Sequence, residues 1–75
     1  CPGYVDTDIV RAAISEIVSK TGRTENEAMQ HFTDSNPQGR LVETSEVASA
    51  VSWLCSEGAA SVTGQAIAID GGGTA

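Results

Sequence analysis

The chain has 75 residues, ten acidic against four basic, giving a net charge of -6, and 40% of it is hydrophobic with one Trp, one Tyr and one Phe. So short a chain makes one small domain at most, buries only about 60% of its unfolded surface, and must rely on an aliphatic core. The acidic balance, with no two of Arg11, Lys20, Arg23 and Arg40 adjacent, argues against nucleic acid; no apolar run approaches the roughly 18 to 20 residues of a membrane span, and no N-terminal signal is present, so the expected location is the cytoplasm.

Cys1-Pro2-Gly3 reads as the end of a strand running into a turn, because Pro and Gly in succession interrupt both regular structures. A strand end with no strand before it, and no initiator Met, suggests a segment of something longer. From Thr7 to Lys20 the apolar residues Val10, Ala13, Ile14, Ile17 and Val18 recur at spacings of three and four, which predicts a helix with one apolar face. Thr7 is its expected N-cap, Asp8 a favourable charge in the first turn, and Gly22 the left-handed residue that ends it.

Thr24 with Glu27 three residues on forms a capping box for a second, short helix carrying Ala28, Met29 and Phe32, which must stop before Asn36-Pro37. The segment from Gln38 to Glu43 is expected to be a loop. Thr44 is the expected cap of a third helix from Ser45 to about Ser56; its Val47, Ala48, Ala50, Val51, Leu54 and Cys55 cover more than half the circumference and predict burial on most sides. Gly58 should close it. After a turn from Ala59 to Gly64, the apolar run Gln65 to Ile69 suits a buried parallel strand, and Asp70-Gly71-Gly72-Gly73 a flexible turn or tail.

Cys1 and Cys55 show neither metal-ligand spacing nor a disulfide framework and are expected to be small buried hydrophobes. His31 is the single histidine and reads as a surface or packed residue. No metal site is expected.

The wording of the chain resembles the C-terminal signature of the short-chain dehydrogenases/reductases. Pro2-Gly3-Tyr4-Val5-Asp6-Thr7 is similar to that family's Pro-Gly-x-Val-x-Thr turn; Asn36-Pro37-x-Gly39-Arg40, Ser45-Glu46-Val47-Ala48, Val62-Thr63-Gly64-Gln65 and Asp70-Gly71-Gly72 follow in the family's order. The resemblance covers essentially the whole chain. It implies an α/β fold in which residues 1–75 form the C-terminal part of a Rossmann-type, doubly wound parallel sheet: the end of one strand, substrate-lid helices over 7–35, and the last long helix and strand over 44–72.

Such a fold binds NAD or NADP across the carboxyl ends of its strands. Carried over by position, Pro2, Gly3, Tyr4, Val5 and Thr7 would contact the cofactor, with the Val5 main chain on the nicotinamide carboxamide and the Thr7 hydroxyl on the carboxamide or pyrophosphate. The residues alone also permit a plain tight turn and helix cap. Val10, Ile14 and Ile17 would belong to the substrate lid, where they could cover an acyl chain or pack between the lid helices. The wording Lys20-Thr21-Gly22-Arg23 and Asn36-Pro37-Gln38-Gly39-Arg40 looks most like 3-hydroxyacyl-CoA dehydrogenases and 3-oxoacyl reductases, so a small-molecule acyl thioester is the expected substrate, with a sugar or simple alcohol as the alternative.

No catalytic residue is expected here. The family's glycine-rich phosphate loop, serine, and tyrosine and lysine four apart are absent; Tyr4 is followed four residues later by Asp8. Without a proton donor the chain alone is catalytically incomplete. A different possibility is a self-associating module without enzymatic activity, and a homo-oligomer through helix 45–56 and strand 65–69 is expected in either case.

Overall fold

A computed structural model describes residues 1 to 74; Ala75, the last residue of the expected domain, lies outside the described residues. Three α-helices appear in order: α1 (Asp8–Thr21), α2 (Glu25–Thr33) and α3 (Thr44–Leu54), followed by a single 3₁₀ turn at Glu57–Ala59. Thr7 caps α1, accepting the Val10 amide, and Gly22 ends it in the left-handed conformation at φ 70°, its N–H donating to the Val18 carbonyl. The capping box at Thr24 and Glu27 is formed as the spacing predicts, and α2 stops three residues short of Asn36.

α1 and α2 pack against each other around Ile14, Ala28, Phe32 and Leu41, all buried, with Val10, Ala13, Ile17, Val18 and Met29 at the border. The periodicity of three and four is what brings these side chains to one side of each helix. This cluster is the larger part of the core.

The third helix departs from expectation. Its cap is Glu43 instead of Thr44, and the return arm is the Glu46 carboxylate accepting the Glu43 N–H at 3.0 Å. A glutamate three residues before another can hold the same place as Thr because the returning carboxylate satisfies the exposed amide. The helix ends at Leu54 with Cys55 as its cap, while Gly58 sits inside the 3₁₀ turn instead of closing the helix. No residue of α3 is buried, and Val51, Trp53 and Leu54 stand 55%, 50% and 41% exposed, so the predicted burial on most sides is not met among the described residues. The apolar side chains are where the sequence puts them, but among the described residues only Val47 and Ala50 are even half-buried. Cys1 and Cys55 are likewise exposed, against expectation, and unpaired by any disulfide.

The expected strand at Gln65–Ile69 is present only as a bridge. Cys1 donates from its amino terminus to the Ile67 carbonyl at 2.8 Å, the Ile69 N–H to the Cys1 carbonyl at 3.0 Å, and the Gly3 N–H to the Ile69 carbonyl at 3.0 Å. The direction is parallel, as a Rossmann-type sheet requires, but residues 1–3 are the sole neighbour among the described residues. A second parallel bridge joins Val5 to Val42. The parallel sheet of the sequence reading is therefore represented by these two bridges, because a strand is defined by its partners and one short partner cannot extend the ladder.

Of the flexible turn or tail expected at Asp70-Gly71-Gly72-Gly73, the turn is what forms, and it is tied. Both Asp70 carboxylate oxygens accept bonds from the residues that follow it, one from the Gly72 N–H and the other from the Thr74 N–H and hydroxyl. No helix among the described residues is long and apolar enough to cross a membrane.

Candidate functional site

Residues 2 to 7 are held from two sides. On the first, Gly3 is bound to Ile69 and lies so close to Asp70 that a Cβ on Gly3 would stand 2.8 Å from the Asp70 Cβ. On the second, the Val42 N–H donates to the Tyr4 carbonyl at 2.9 Å and the Asp6 N–H to the Val42 carbonyl at 2.8 Å. Because successive peptide groups of an extended chain face opposite ways, this pairing turns the N–H and C=O of Val5 away from Val42. Among the described residues neither group makes a hydrogen bond. A free donor and acceptor on one residue form a pair suited to a planar amide.

The Tyr4 ring packs edge-on to Phe32, with centroids 5.0 Å apart, and is about half exposed. Its main chain, not its phenol, faces the turn. The Asp6 carboxylate is gripped by both nitrogens of Arg11 at 2.8 and 2.9 Å; the guanidinium hydrogen bond, ahead of the attraction between the charges, lowers the Asp6 pKa and raises that of Arg11. Thr7 Oγ1 accepts the Val10 N–H at 3.4 Å, a long bond that leaves the hydroxyl proton for another acceptor. Pro2, Gly3, Tyr4, Val5 and Thr7 thus lie in one short segment, bridged at Pro2 and Val5, that enters α1.

Of the two arrangements open to the lid candidates Val10, Ile14 and Ile17, the structure has them packed between the helices. Ile14 is 2% exposed in the core under α2, while Val10 and Ile17 are half-buried against the same cluster. The apolar residue that α1 does present outward is Ile9, 83% exposed, which stands four residues before Ala13 but at the edge of the apolar stripe.

Two sequence motifs that stand 30 residues apart turn out to touch. The Asn36 carboxamide ties its own loop, accepting the Gly39 N–H at 2.8 Å and donating to the Arg40 carbonyl at 3.2 Å, and the Gln38 N–H reaches the Gly71 carbonyl at 3.3 Å. Gly71 and Gly72 are in the positive-φ region at 64° and 91°; side chains there would collide with Gln38 and Asn36 and crowd the ring of Pro37. Asn36-Pro37 and Asp70-Gly71-Gly72 are therefore one structural unit with Pro2-Gly3. A cleft of about 390 Å³ lies among them, lined by Gly3, Tyr4, Ser35, Asn36, Asp70 and Thr74. The Thr74 hydroxyl bond, foremost among several donors, lowers the pKa of Asp70.

Farther out, Arg40 grips Glu46 at 2.7 and 3.3 Å, and this hydrogen bond, then the Glu43 amide, lowers the Glu46 carboxyl from 4.5 to about 2. A second, apolar groove of about 500 Å³ runs between α3 and residues 62–69, with Val51, Leu54 and Ile67 in its walls. Val42 is the residue that sequence reasoning passed over. Its signal is an adjacent apolar pair, Leu41-Val42, inside an otherwise polar loop, and both are buried, at 6% and 2% exposure.

The free N–H and C=O of Val5 can pair with a planar amide; among the described residues no group of His, Cys, Asp and Glu could hold a metal ion. A family model described as enoyl-(acyl carrier protein) reductase matches residues 1–74. The chain is 44% identical to "Uncharacterized oxidoreductase YxjF" of Bacillus subtilis, covering all of this chain and 30% of that protein. It is 38% identical to "Granaticin polyketide synthase putative ketoacyl reductase 1" of Streptomyces violaceoruber, covering 96% of this chain and 26% of that one. Among solved structures, a short chain dehydrogenase family protein from Francisella tularensis superposes with a TM-score of 0.90 at 36% identity, over 99% of this chain and 31% of the other. The chain thus spans less than a third of the length of these relatives.

Proposed function

Because the chain belongs to the short-chain dehydrogenase/reductase family, we propose that it is part of an NAD(P)-dependent oxidoreductase acting on a 3-hydroxy or 3-oxoacyl thioester. The Rossmann-like α/β fold goes with that membership. Within it, residues 7–35 serve as lid helices, and residues 44–72 as the last helix and strand of the parallel sheet. The acyl-thioester reading draws on the family model's description and on the relative named for ketoacyl reduction.

The observation that carries the cofactor reading is the unpaired N–H and C=O of Val5. A nicotinamide carboxamide offers one acceptor and two donors in a plane, and Val5 offers the complementary pair. The Thr7 hydroxyl has a proton to donate beside it, while Pro2 and Gly3 set the entry of the turn. The pyrophosphate alternative for Thr7 fits less well, since Asp8 stands in the first turn of α1 and an anion there would meet its carboxylate. A bound nicotinamide supplies or takes up the hydride; these residues bind and orient it. The proton that must accompany hydride transfer has no donor among them, so it is assigned to residues beyond these 75.

The test is made on the full-length protein. Calorimetric titration with NAD(H) and NADP(H) should show saturable binding of one or both. Cofactor absorbance should then report reduction of a 3-oxoacyl thioester, with a sugar and a simple alcohol run in parallel. Saturable binding with turnover of the sugar alone would keep the cofactor and discard the acyl substrate. Absence of any dinucleotide binding by a folded full-length protein would overturn the proposal.

A further inference from the structure

Among the described residues the segment Tyr4–Asp6 has no regular strand beside it, yet its peptide groups are aligned well enough to leave both polar groups of Val5 outward. The cause is Val42. It is 2% exposed, it stands next to Leu41 in the α1–α2 core, and it supplies the two hydrogen bonds, at 2.9 and 2.8 Å, that fix the peptides on either side of Val5. Those bonds lie within the hydrogen-bond range of an ordinary ladder, but the bridge is isolated. Among the described residues no neighbouring pair would hold the register if it opened.

We propose that Val42 is a positioning residue for the cofactor: anchored by its own burial, it orients the Val5 amide and carbonyl toward the nicotinamide carboxamide. The inference rests on the reading of Val5 as the carboxamide contact, and deepens it. Leu41 and the T-shaped Tyr4–Phe32 pair make the same link from the lid side, so the packing of the lid helices and the aim of the cofactor turn are set by one buried knot. Asp6 is held independently by Arg11, which limits the motion released at Val42 to the peptides around Val5.

Replacing Val42 by Pro removes the N–H that binds the Tyr4 carbonyl. The readout is the calorimetric Kd of the full-length protein for its natural dinucleotide and for the 3-acetylpyridine analogue, which lacks the amide N–H donors. The wild type is expected to bind the natural cofactor about tenfold more tightly than the analogue, which is the worth of about one hydrogen bond to a polar partner. In Val42→Pro the ratio should fall to near one, chiefly by loss of affinity for the natural cofactor. Val42→Gly, which keeps the donor but removes the buried anchor, should lower the ratio in the same direction and decides the matter if the proline variant does not fold. Val42→Ile should restore it. A wild-type ratio of one would overturn the Val5 contact itself and the proposal with it. A preserved ratio in a folded Val42→Pro or Val42→Gly protein would overturn the role of Val42 while leaving Val5 in place.

Discussion

Thr7 makes only a long bond to the amide it caps, 3.4 Å, so its hydroxyl is poorly used by the helix and available to a ligand. In the full-length enzyme Thr7→Ala should weaken cofactor binding by on the order of 1 to 2 kcal/mol, about one hydrogen bond to a strongly polar partner. The Michaelis constant for the cofactor reads this; an unchanged value in a folded protein would leave Thr7 as a cap alone. Glu46 yields a pH dependence. Its folded carboxyl titrates at about 2 against 4.5 in the open chain, lowered first by the Arg40 hydrogen bond. A depressed carboxyl contributes stability that is complete above the unfolded value and disappears as the pH falls through the folded one. Chemical denaturation of the full-length protein should therefore lose stability between about pH 4.5 and about pH 2, and Glu46→Gln should flatten part of that limb. Both partners are substantially exposed, at 45% and 38%, so salt should shrink the effect. Identical acid limbs for the two proteins would show that the pair does not matter to folding.

At the scale of elements, α1 has one apolar stripe packed on the core and a single apolar residue, Ile9, outside it. Ile14 is enclosed by Ala28, Phe32 and Leu41, and Ile14→Ala should cost about 2 to 4 kcal/mol, the lost contacts plus the cavity left behind. Ile9, in solvent, should cost within about 0.5 kcal/mol when truncated. Paired thermal melts of the two variants in the full-length protein make the comparison. Equal losses would mean that a surface absent from these 74 residues covers Ile9. The same contrast bears on the lid: Val10, Ile14 and Ile17 face α2, so an acyl chain passing over α1 would meet Ile9 first. On the proposed acyl-thioester function, its truncation should raise the Michaelis constant of long acyl substrates more than that of short ones.

Over the whole molecule the dimensions are those of an unclosed body. The radius of gyration is 15.1 Å, against about 11 Å for a compact domain of this length, and the long axis reaches 49 Å. The surface, 5252 Å², exceeds the roughly 4,300 Å² expected of a folded monomer of this mass. The excess includes the apolar groove between α3 and residues 62–69. The isolated chain should accordingly self-associate, pairing the edge of residues 65–69 and covering Val51, Leu54 and Ile67, since an open edge beside apolar surface is a template for another chain. In the full-length protein the same helix and strand are proposed as the homo-oligomer contact. Sedimentation equilibrium of these residues alone at micromolar concentration checks the first statement. A monodisperse, cooperatively folded monomer would show that the helices close over the groove unaided.

The sequence by itself determined what depends on neighbours in the chain. The α1 and α2 boundaries, the caps at Thr7, Gly22 and Thr24, and the stop before Asn36-Pro37 are local bargains between side chains and the nearest amides, and they are legible because three or four residues settle each one. The family was legible too, because its motifs keep their order along the chain. Tertiary structure decided everything that needs a distant partner. Whether Gln65–Ile69 is a strand, and whether α3 is buried, depends on which surfaces arrive beside them, and an apolar pattern states only the need for a neighbour. Gly3 has its place because Asp70 lies 67 residues away in the chain and 2.8 Å from where a Cβ would be. Val42, silent in a polar loop, aims Val5 through two bonds that no local spacing encodes, because they cross 37 residues of chain and form only once Leu41 is buried between the helices.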